Sequence, residues 1–564
     1  MERKILSLLL VIIFALSTVA AGSPIMQSTS ATYKESFTIS SIEIAMVFST
    51  YLGGTFYDEA FAIGVDSSGN TFVAGYTWSD DFPTYNAMNS TPNSGEDIFI
   101  AKFSPTGQLL FSTYFGGTTQ QLLKDLTVDD SGNVYLTGST HSSDFPIMNG
   151  YQEAHGGGGP DAFVTIIDGT GSNVIASTFF GGSSSDVGLG IDLDGEGNIY
   201  IVGLSESTNL PTTPGVYQED HAGNDDVFVA KLNSTANGLE YCTYLGGFED
   251  DVGYDIEVDD AGYCYISGYT LSDDFPTLNQ FDSTLNGTQD AFVAKLDPSG
   301  DLVYSTYLGG TNDDEAKDLT IDASGQCYIT GITQSDDFPM ISSYNSTHGG
   351  GRDAFVVRLA SAGNVIQYST YLGGADGDEG NEILLDSQGY VYIAGMSQSS
   401  DFPIVSQIAI GEHRNQDAFI TKMSPDGSAL LLSTLFGGVS SDFAQGIALG
   451  PDELTIHIAG QTFGPLEEGM DGLPTLNAYQ DTHAGEWGVF HYDAYVTVFS
   501  QPGPTTTSTT STTTTTTSTT TSTTSTTTTT TTTEFPIRID VFIAVGAAGC
   551  AIIVIIVYVV LRRK

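Results

Sequence analysis

The sequence predicts an all-β protein, a seven-bladed β-propeller whose last blade is completed by a strand from near the N-terminus. Three observations point there. A Gly-Gly pair that closes a T-Y/F/L-L/F strand recurs at Gly53, Gly116, Gly181, Gly246, Gly309, Gly373 and Gly437, at intervals of 63 to 65 residues, and seven copies at a steady period mean a propeller, solenoid or array. Each interval holds four short apolar runs separated by Gly, Asn, Asp and Pro, which is one four-stranded blade. The ends are out of phase: residues 44–52 form a fourth strand with no blade before it, and the seventh repeat stops at its third strand, residues 493–500. Pairing the two closes a ring with no long free edge, whereas a linear solenoid would carry atypical caps.

Residues 1–21 open with Glu2-Arg3-Lys4, run through apolar residues 5–14 and end in Val19-Ala20-Ala21, the pattern of a secretory signal with a small-residue cleavage site. A leader segment, 22–40, follows. The propeller spans 41–500, and its fourth repeat shows the blade plan: strand A over 254–259, strand B over 262–269, strand C over 290–296 and strand D over 302–308. Residues 501–540 form a stalk; 505–533 are only Thr and Ser, with nothing to bury, so the stalk is expected to be disordered, extended and O-glycosylated. Residues 541–561 carry no charge and are followed by Arg562-Arg563-Lys564, the signature of one C-terminal transmembrane helix with a cytoplasmic tail, 562–564. The chain therefore reads as a single-pass type I membrane protein with its ectodomain outside the cell.

Two words of the repeat carry a resemblance. STYLGG at Ser49, Ser305 and Ser369 and DAFVAKL at Asp290 resemble the seven-bladed beta-propeller repeat (SBBP) family. The resemblance covers about residues 41–500 and implies the fold and, commonly, an extracellular location; it carries no activity and no catalytic residue. The stalk and anchor are similar in composition to those of archaeal surface proteins.

Sixteen Lys and Arg stand against 68 Asp and Glu, a net charge of −52. That field repels phosphate backbones and excludes nucleic acid as a partner. Four cysteines cannot staple a chain this long: Cys550 lies in the apolar segment, and Cys264 and Cys327 occupy the same position of successive repeats, so Cys242, Cys264 and Cys327 read as buried apolar residues.

Strand alternation puts the D-to-A and B-to-C loops on one face. The D-to-A loops are expected to present Asp58, Glu59, Asp250, Asp251, Asp313, Asp314, Glu315, Asp376, Asp378 and Glu379. The S-D-F-P words of the B-to-C loops add Asp80, Asp81, Asp144, Asp273, Asp274, Asp336, Asp337 and Asp401. Such carboxylates suit Ca²⁺, the one cofactor the sequence suggests, or serve the blade by accepting N–H bonds at turns. Asp192, Asp194, Glu196 and Asn198 form the nearest approach to a calcium loop, with Tyr200 where a closing carboxylate is wanted. His155, His221, His348, His413 and His483 precede strand C, one per blade, too dispersed for a zinc centre. Lys102, Lys231, Lys295, Arg358 and Lys422 recur on strand C as locally paired charges.

Asn89, Asn233, Asn286 and Asn345 begin glycosylation sequons in loops or turns. The two tryptophans, Trp78 and Trp487, fall on the same loop face in blades that closure makes neighbours, and blade seven departs most from the repeat, with GEWGVFHYDAY including His491. Function in a repeat protein sits where copies differ. No nucleophile-and-base, zinc-protease, P-loop or dinucleotide motif occurs in the sequence, so a catalytic residue is not expected. The expected function is a cell-surface binding or adhesion module for a glycan or protein; a structural envelope component is the alternative, and a propeller lyase or glycosidase the third.

Overall fold

The computed structural model describes residues 44–93, 95–407, 416–463, 472–484, 491–502, 538–544 and 554–560. Seven four-stranded antiparallel sheets stand in a ring within residues 41–506. Blade four runs Asp251–Val258, Cys264–Thr270, Asp290–Leu296, Leu302–Leu308 from inside to outside. Blade seven runs Asp442–Leu449, Thr455–Phe463, Tyr492–Ser500 and, outermost, Ala45–Leu52. The N-terminal strand pairs antiparallel with strand C from Leu52↔Ala494 to Ala45↔Ser500.

The core lies between blades rather than within them. Val202, Val227 and Val229 of blade three pack on Ile256, Ile266 and Phe292 of blade four. Strands B and C are therefore covered on both faces; all seven residues of Asp97–Phe103 are buried. These two strands have no polar face, because a strand with a sheet on either side has no solvent face. Beyond the outer strand, the B-to-C loop turns back alongside it, with bridges at Tyr85↔Ser112, Met148↔Ser177, Leu278↔Ser305 and Ser49↔Leu476. This covers an edge that would otherwise be open for pairing.

The Gly-Gly word is explained at the junction of blades three and four. A Cβ on Gly246 would lie 2.5 Å from Asp226 Oδ1 and 3.0 Å from Asp251 Oδ2, so the carboxylates opening strand C of one blade and strand A of the next clasp a bare Cα. Gly247 packs against Ser272 and Asp274, and its N–H donates to Asp251 Oδ2 at 2.7 Å. Gly246→Ala should cost about 1–3 kcal/mol by overpacking, read as a fall in urea midpoint with unchanged slope; an unchanged midpoint would contradict the clasp.

Strand A of blade four begins at Asp251, not at 254, because this aspartate is a buried ladder residue and not a loop residue. The same holds for Asp58, Asp314 and Asp378, all fully buried. Cys242, Cys264 and Cys327 are free and buried.

In the second compact unit, which takes in residues 507–564, Arg538–Ala544 and Val554–Val560 pair antiparallel as two strands. This differs from the helix expected over 541–561, and among the described residues no helix is long and apolar enough to cross a membrane. Val554–Val560 is wholly Val, Ile and Tyr, and Arg538–Ala544 carries Ile539, Val541, Phe542 and Ile543, residues that favour strands where no bilayer forces the backbone to bond within a helix. The signal segment 1–21, the leader 22–40, the stalk tract 505–533 and Cys550 lie outside the described residues.

Candidate functional site

The repeated words are structural. In blade one, Asp58 Oδ2 accepts Gly54 N–H at 2.7 Å and Ser79 Oγ–H at 2.9 Å. Asp81, Asp144, Asp274, Asp337 and Asp401 accept the N–H groups of Thr55, Thr118, Phe248, Thr311 and Ala375 at 2.8–3.0 Å. The Phe of S-D-F-P stacks on the Phe of strand C, with Phe82 and Phe99 at 4.6 Å. Of the D-to-A acids, Asp58, Asp251, Asp314 and Asp378 are thus withdrawn from the surface they were expected to line, since each opens strand A inside the sheet.

Burial pushes the junction carboxyls up: Asp58, Asp251 and Asp314 to about 7, Asp97 and Asp290 to about 6. The facing aspartate adds to this at Asp251, from Asp226, and at Asp314, from Asp290. Asp493 is raised well above the usual range by burial and, after its bond from Ala484, by Asp58. Among the described residues, Oδ1 of Asp97, Asp161, Asp226, Asp353 and Asp493 accepts no hydrogen bond. In blade two the inner aspartate is replaced by Gln121, a neutral group in the same place.

The ring brings together a second set of carboxylates that the sequence reading missed. Asp125, Asp192, Asp255, Glu257, Asp318 and Glu382 line the central channel, a cavity of about 360 Å³. Five of them stitch neighbouring inner strands. Asp125 accepts Ile191 N–H at 2.9 Å, Asp192 accepts Val258 N–H at 2.8 Å, and Asp255 accepts Leu319 N–H at 3.1 Å. Asp318 accepts Ile383 N–H and Glu382 accepts Ile447 N–H at 2.7 Å. Desolvation, then the charge of Asp255, raises Asp125 to about 8. Lys317 joins Glu379 at 2.9 Å on the same wall. The available signal was an acid at the fifth residue of strand A in blades two, four, five and six.

The calcium loop is not assembled. Asp192 points into the channel, while Asp194 closes its own turn, accepting Glu196 N–H at 3.0 Å and Asn198 N–H at 2.9 Å, with Lys231 Nζ 3.3 Å away. The four residues split because the first ends a strand and the others form the turn after it. Among the described residues no group of three His, Cys, Asp or Glu is arranged to hold a metal. His155, His221 and His348 each reach the carbonyl ending strand B of their own blade, at 2.9–3.3 Å; His413 lies outside the described residues. The strand C cations pair with the A-to-B turns, Lys102 with Asp66 at 2.9 Å, Arg358 with Asp322 at 3.6 Å and Lys422 with Asp386 at 3.3 Å, while Lys295 donates to Tyr265 Oη at 2.6 Å.

What remains is the loop face where blade seven meets blade one. Trp78 is 48 % exposed and Phe56 53 %. The indole stands edge-on to Tyr57 at 5.5 Å, Tyr57 lies 6.2 Å from Tyr492, and Tyr492 contacts Phe463 at 3.8 Å and Phe443 at 6.0 Å. Phe61 stacks on Tyr76 at 5.3 Å and also lines the channel. An exposed indole against Tyr57, itself backed by Tyr492 on strand C, is a pre-formed surface with little side-chain entropy left to lose. Trp487 lies outside the described residues. His491, expected beside it as a ligand contact, is only 3 % exposed and faces His483 at 5.4 Å; it sits at the buried start of strand C. The sequons stand outside the strands, Asn89, Asn286 and Asn345 in B-to-C loops and Asn233 in a C-to-D turn.

The beta-propeller repeat family model, SBBP, matches residues 47–83, 110–146, 240–276, 303–339 and 367–403. Each match runs from the outer strand of one blade through Gly-Gly to the S-D-F-P of the next, so the family unit is the junction itself. The "Regulatory protein FlaEY" of Caulobacter vibrioides is 26 % identical over 196 residues, 34 % of this chain. The chain spans only 20 % of that relative's length. Among solved structures, "Structure of U3-55K" aligns with a TM-score of 0.43 at 9 % identity, over 81 % of this chain and 98 % of that one. "Crystal structure of RRP9 WD40 repeats" gives 0.42 at 10 % identity, over 81 % and 99 %.

Proposed function

Since this chain is a seven-bladed propeller built on SBBP beta-propeller repeats, we propose that it is a binding or adhesion module displayed outside the cell, a binder rather than an enzyme. The observation that carries this is the exposed aromatic surface of Phe56 and Trp78 at the seam, on the face where blade seven departs from the repeat. Residues 1–21 would export the chain, residues 541–561 would hold it in the membrane, and the Thr/Ser stalk would lift the propeller clear of the lipid. The four sequons would carry glycans away from the blade cores.

The test is an array of glycans and extracellular proteins probed with the full-length protein, with and without Ca²⁺. Saturable binding that Trp78→Ala weakens about tenfold, at unchanged melting temperature, supports the reading. Trp487→Ala is the parallel variant. Turnover of a bound ligand, or no saturable binding at all, would sink it.

One observation favours a structural envelope role instead. Exposed apolar residues recur around the outer wall, among them Met148, Tyr151, Tyr217, Phe281, Ile341 and Tyr344, spacing that suits lateral packing of copies. Ordered self-assembly without ligand would select that role.

A further inference from the structure

The outer wall at the closure seam carries a groove of about 770 Å³. One side is Tyr85, in the B-to-C loop of blade one, with the turn Thr106 to Leu109 of the same blade; the other is Asn477, Ala478 and Tyr479 of blade seven. Tyr479 corresponds to Tyr151 in blade two and Tyr217 in blade three. At those two seams the loop is drawn onto the turn of the next blade, with Tyr151 N–H donating to the Ala236 carbonyl at 2.9 Å and Tyr217 N–H to the Gly300 carbonyl at 3.2 Å. Among the described residues Tyr479 makes no equivalent bond, and the groove lies between its loop and the turn of blade one.

Its walls are rigid. Tyr85 and Ser112 exchange N–H to carbonyl bonds of 3.0 and 2.7 Å. Either side of Tyr479, Asn477 Nδ2 donates to the Val47 carbonyl at 2.9 Å and Gln480 N–H to Thr50 Oγ1 at 2.9 Å. The two phenol rings held by this backbone are 50 % and 46 % exposed.

The lining is uncharged. In a chain of net charge −52, no Asp, Glu, Lys or Arg among the described residues borders this groove; its polar groups are Thr106, Gln108 and Asn477 beside the phenols. The surrounding field turns away anions, and a cation would find more attraction in the carboxylate-lined channel. Two aromatic faces with a few amides and hydroxyls suit a ligand with apolar C–H faces and a hydroxyl edge. We propose that this groove binds an uncharged saccharide, its ring faces on Tyr85 and Tyr479 and its hydroxyls on Gln108 and Asn477. The proposal goes beyond the binding reading above by assigning a second site, separate from Trp78, with its own ligand class, and rests on that reading only in taking the protein as a binder.

The test prints neutral oligosaccharides of glucose, galactose, mannose and N-acetylhexosamine beside uronate- and sialate-containing ones, and probes them with the full-length protein and its variants. Wild type should hold neutral glycans in preference to acidic ones. Tyr85→Ala and Tyr479→Ala should each weaken that binding about tenfold at unchanged melting temperature, Tyr85→Phe and Tyr479→Phe should retain it, and Trp78→Ala should leave it intact. Binding unchanged in both alanine variants overturns the groove. If Trp78→Ala alone abolishes capture, the binding module stands and this site falls; if no glycan is held, the site falls and protein ligands alone can rescue the wider reading.

Discussion

Deleting residues 44–52 should leave no folded monomer. This strand lies more than 400 residues from its partner, yet Ser49 Oγ and Thr497 Oγ1 are hydrogen-bonded at 2.8 Å and Phe48 and Leu52 are wholly buried. Phe48 packs in the cluster shared with Phe103 and Val498, so Phe48→Ala alone should cost about 3–5 kcal/mol. The deletion also removes the pairing of Tyr492–Ser500 on its outer side, exposing a long apolar edge that recruits other chains. Size exclusion and thermal unfolding of the full-length protein with and without these residues decide it. A deletion variant that stayed monomeric and melted with the wild type would mean that the ring is not closed by this strand.

Stability should rise as pH falls from about 8 to about 5, against the usual acid lability of proteins. Two buried carboxylates clasping one glycine cannot both remain ionised without a counter-charge. With Asp58, Asp251 and Asp314 near 7, Asp97 and Asp290 near 6 and Asp125 near 8, all raised first by burial, the folded protein takes up protons that the open chain releases down to about 4. The folded state therefore gains as pH falls through those values. His457 and His483 oppose this. Burial holds both near 4, so each loses stability as pH falls below its open-chain value of about 6.5.

Each tenfold change in a group's proton affinity on folding is worth about 1.4 kcal/mol. Six raised carboxyls therefore outweigh two lowered imidazoles and decide the sign. We expect a melting temperature about 5 °C higher at pH 5 than at pH 8. Below about pH 4 the trend reverses, because turn caps such as Asp144 and Asp337, held low by the Thr118 and Thr311 N–H groups, become protonated. Asp251→Asn, a neutral mimic with the precedent of Gln121, should raise the melting temperature at pH 8 and leave it nearly unchanged at pH 5. A wild-type melting temperature that declines steadily between pH 8 and pH 5 would mean that these pairs are not protonated.

Most of the architecture is legible along the chain. The Gly-Gly period gives seven blades, the four apolar runs give four strands each, and the unmatched strands at 44–52 and 493–500 give the seam. These are local periodicities, and strand and turn formation respond to local pattern. That blades one and seven are neighbours was also readable, because closure follows from phase alone.

Other features depend on residues some 60 or more positions apart. Asp125, Asp255, Asp318 and Glu382 are single acids in separate repeats; only the ring turns the fifth residue of each inner strand toward one axis, where each bonds the next blade. Asp192 and Asp194, two residues apart, go to the channel and to a turn, which pattern alone does not separate. Asp58, Asp251, Asp314 and Asp378 look like loop acids in sequence, yet packing of one blade's strand A against the previous blade's strand C buries them and raises their pKa. Local sequence thus determined the number of blades and the closure strand. Which carboxylates meet, lose their water and hold a proton was decided by the tertiary structure, because desolvation and charge–charge repulsion act through space between blades and leave no period in the chain.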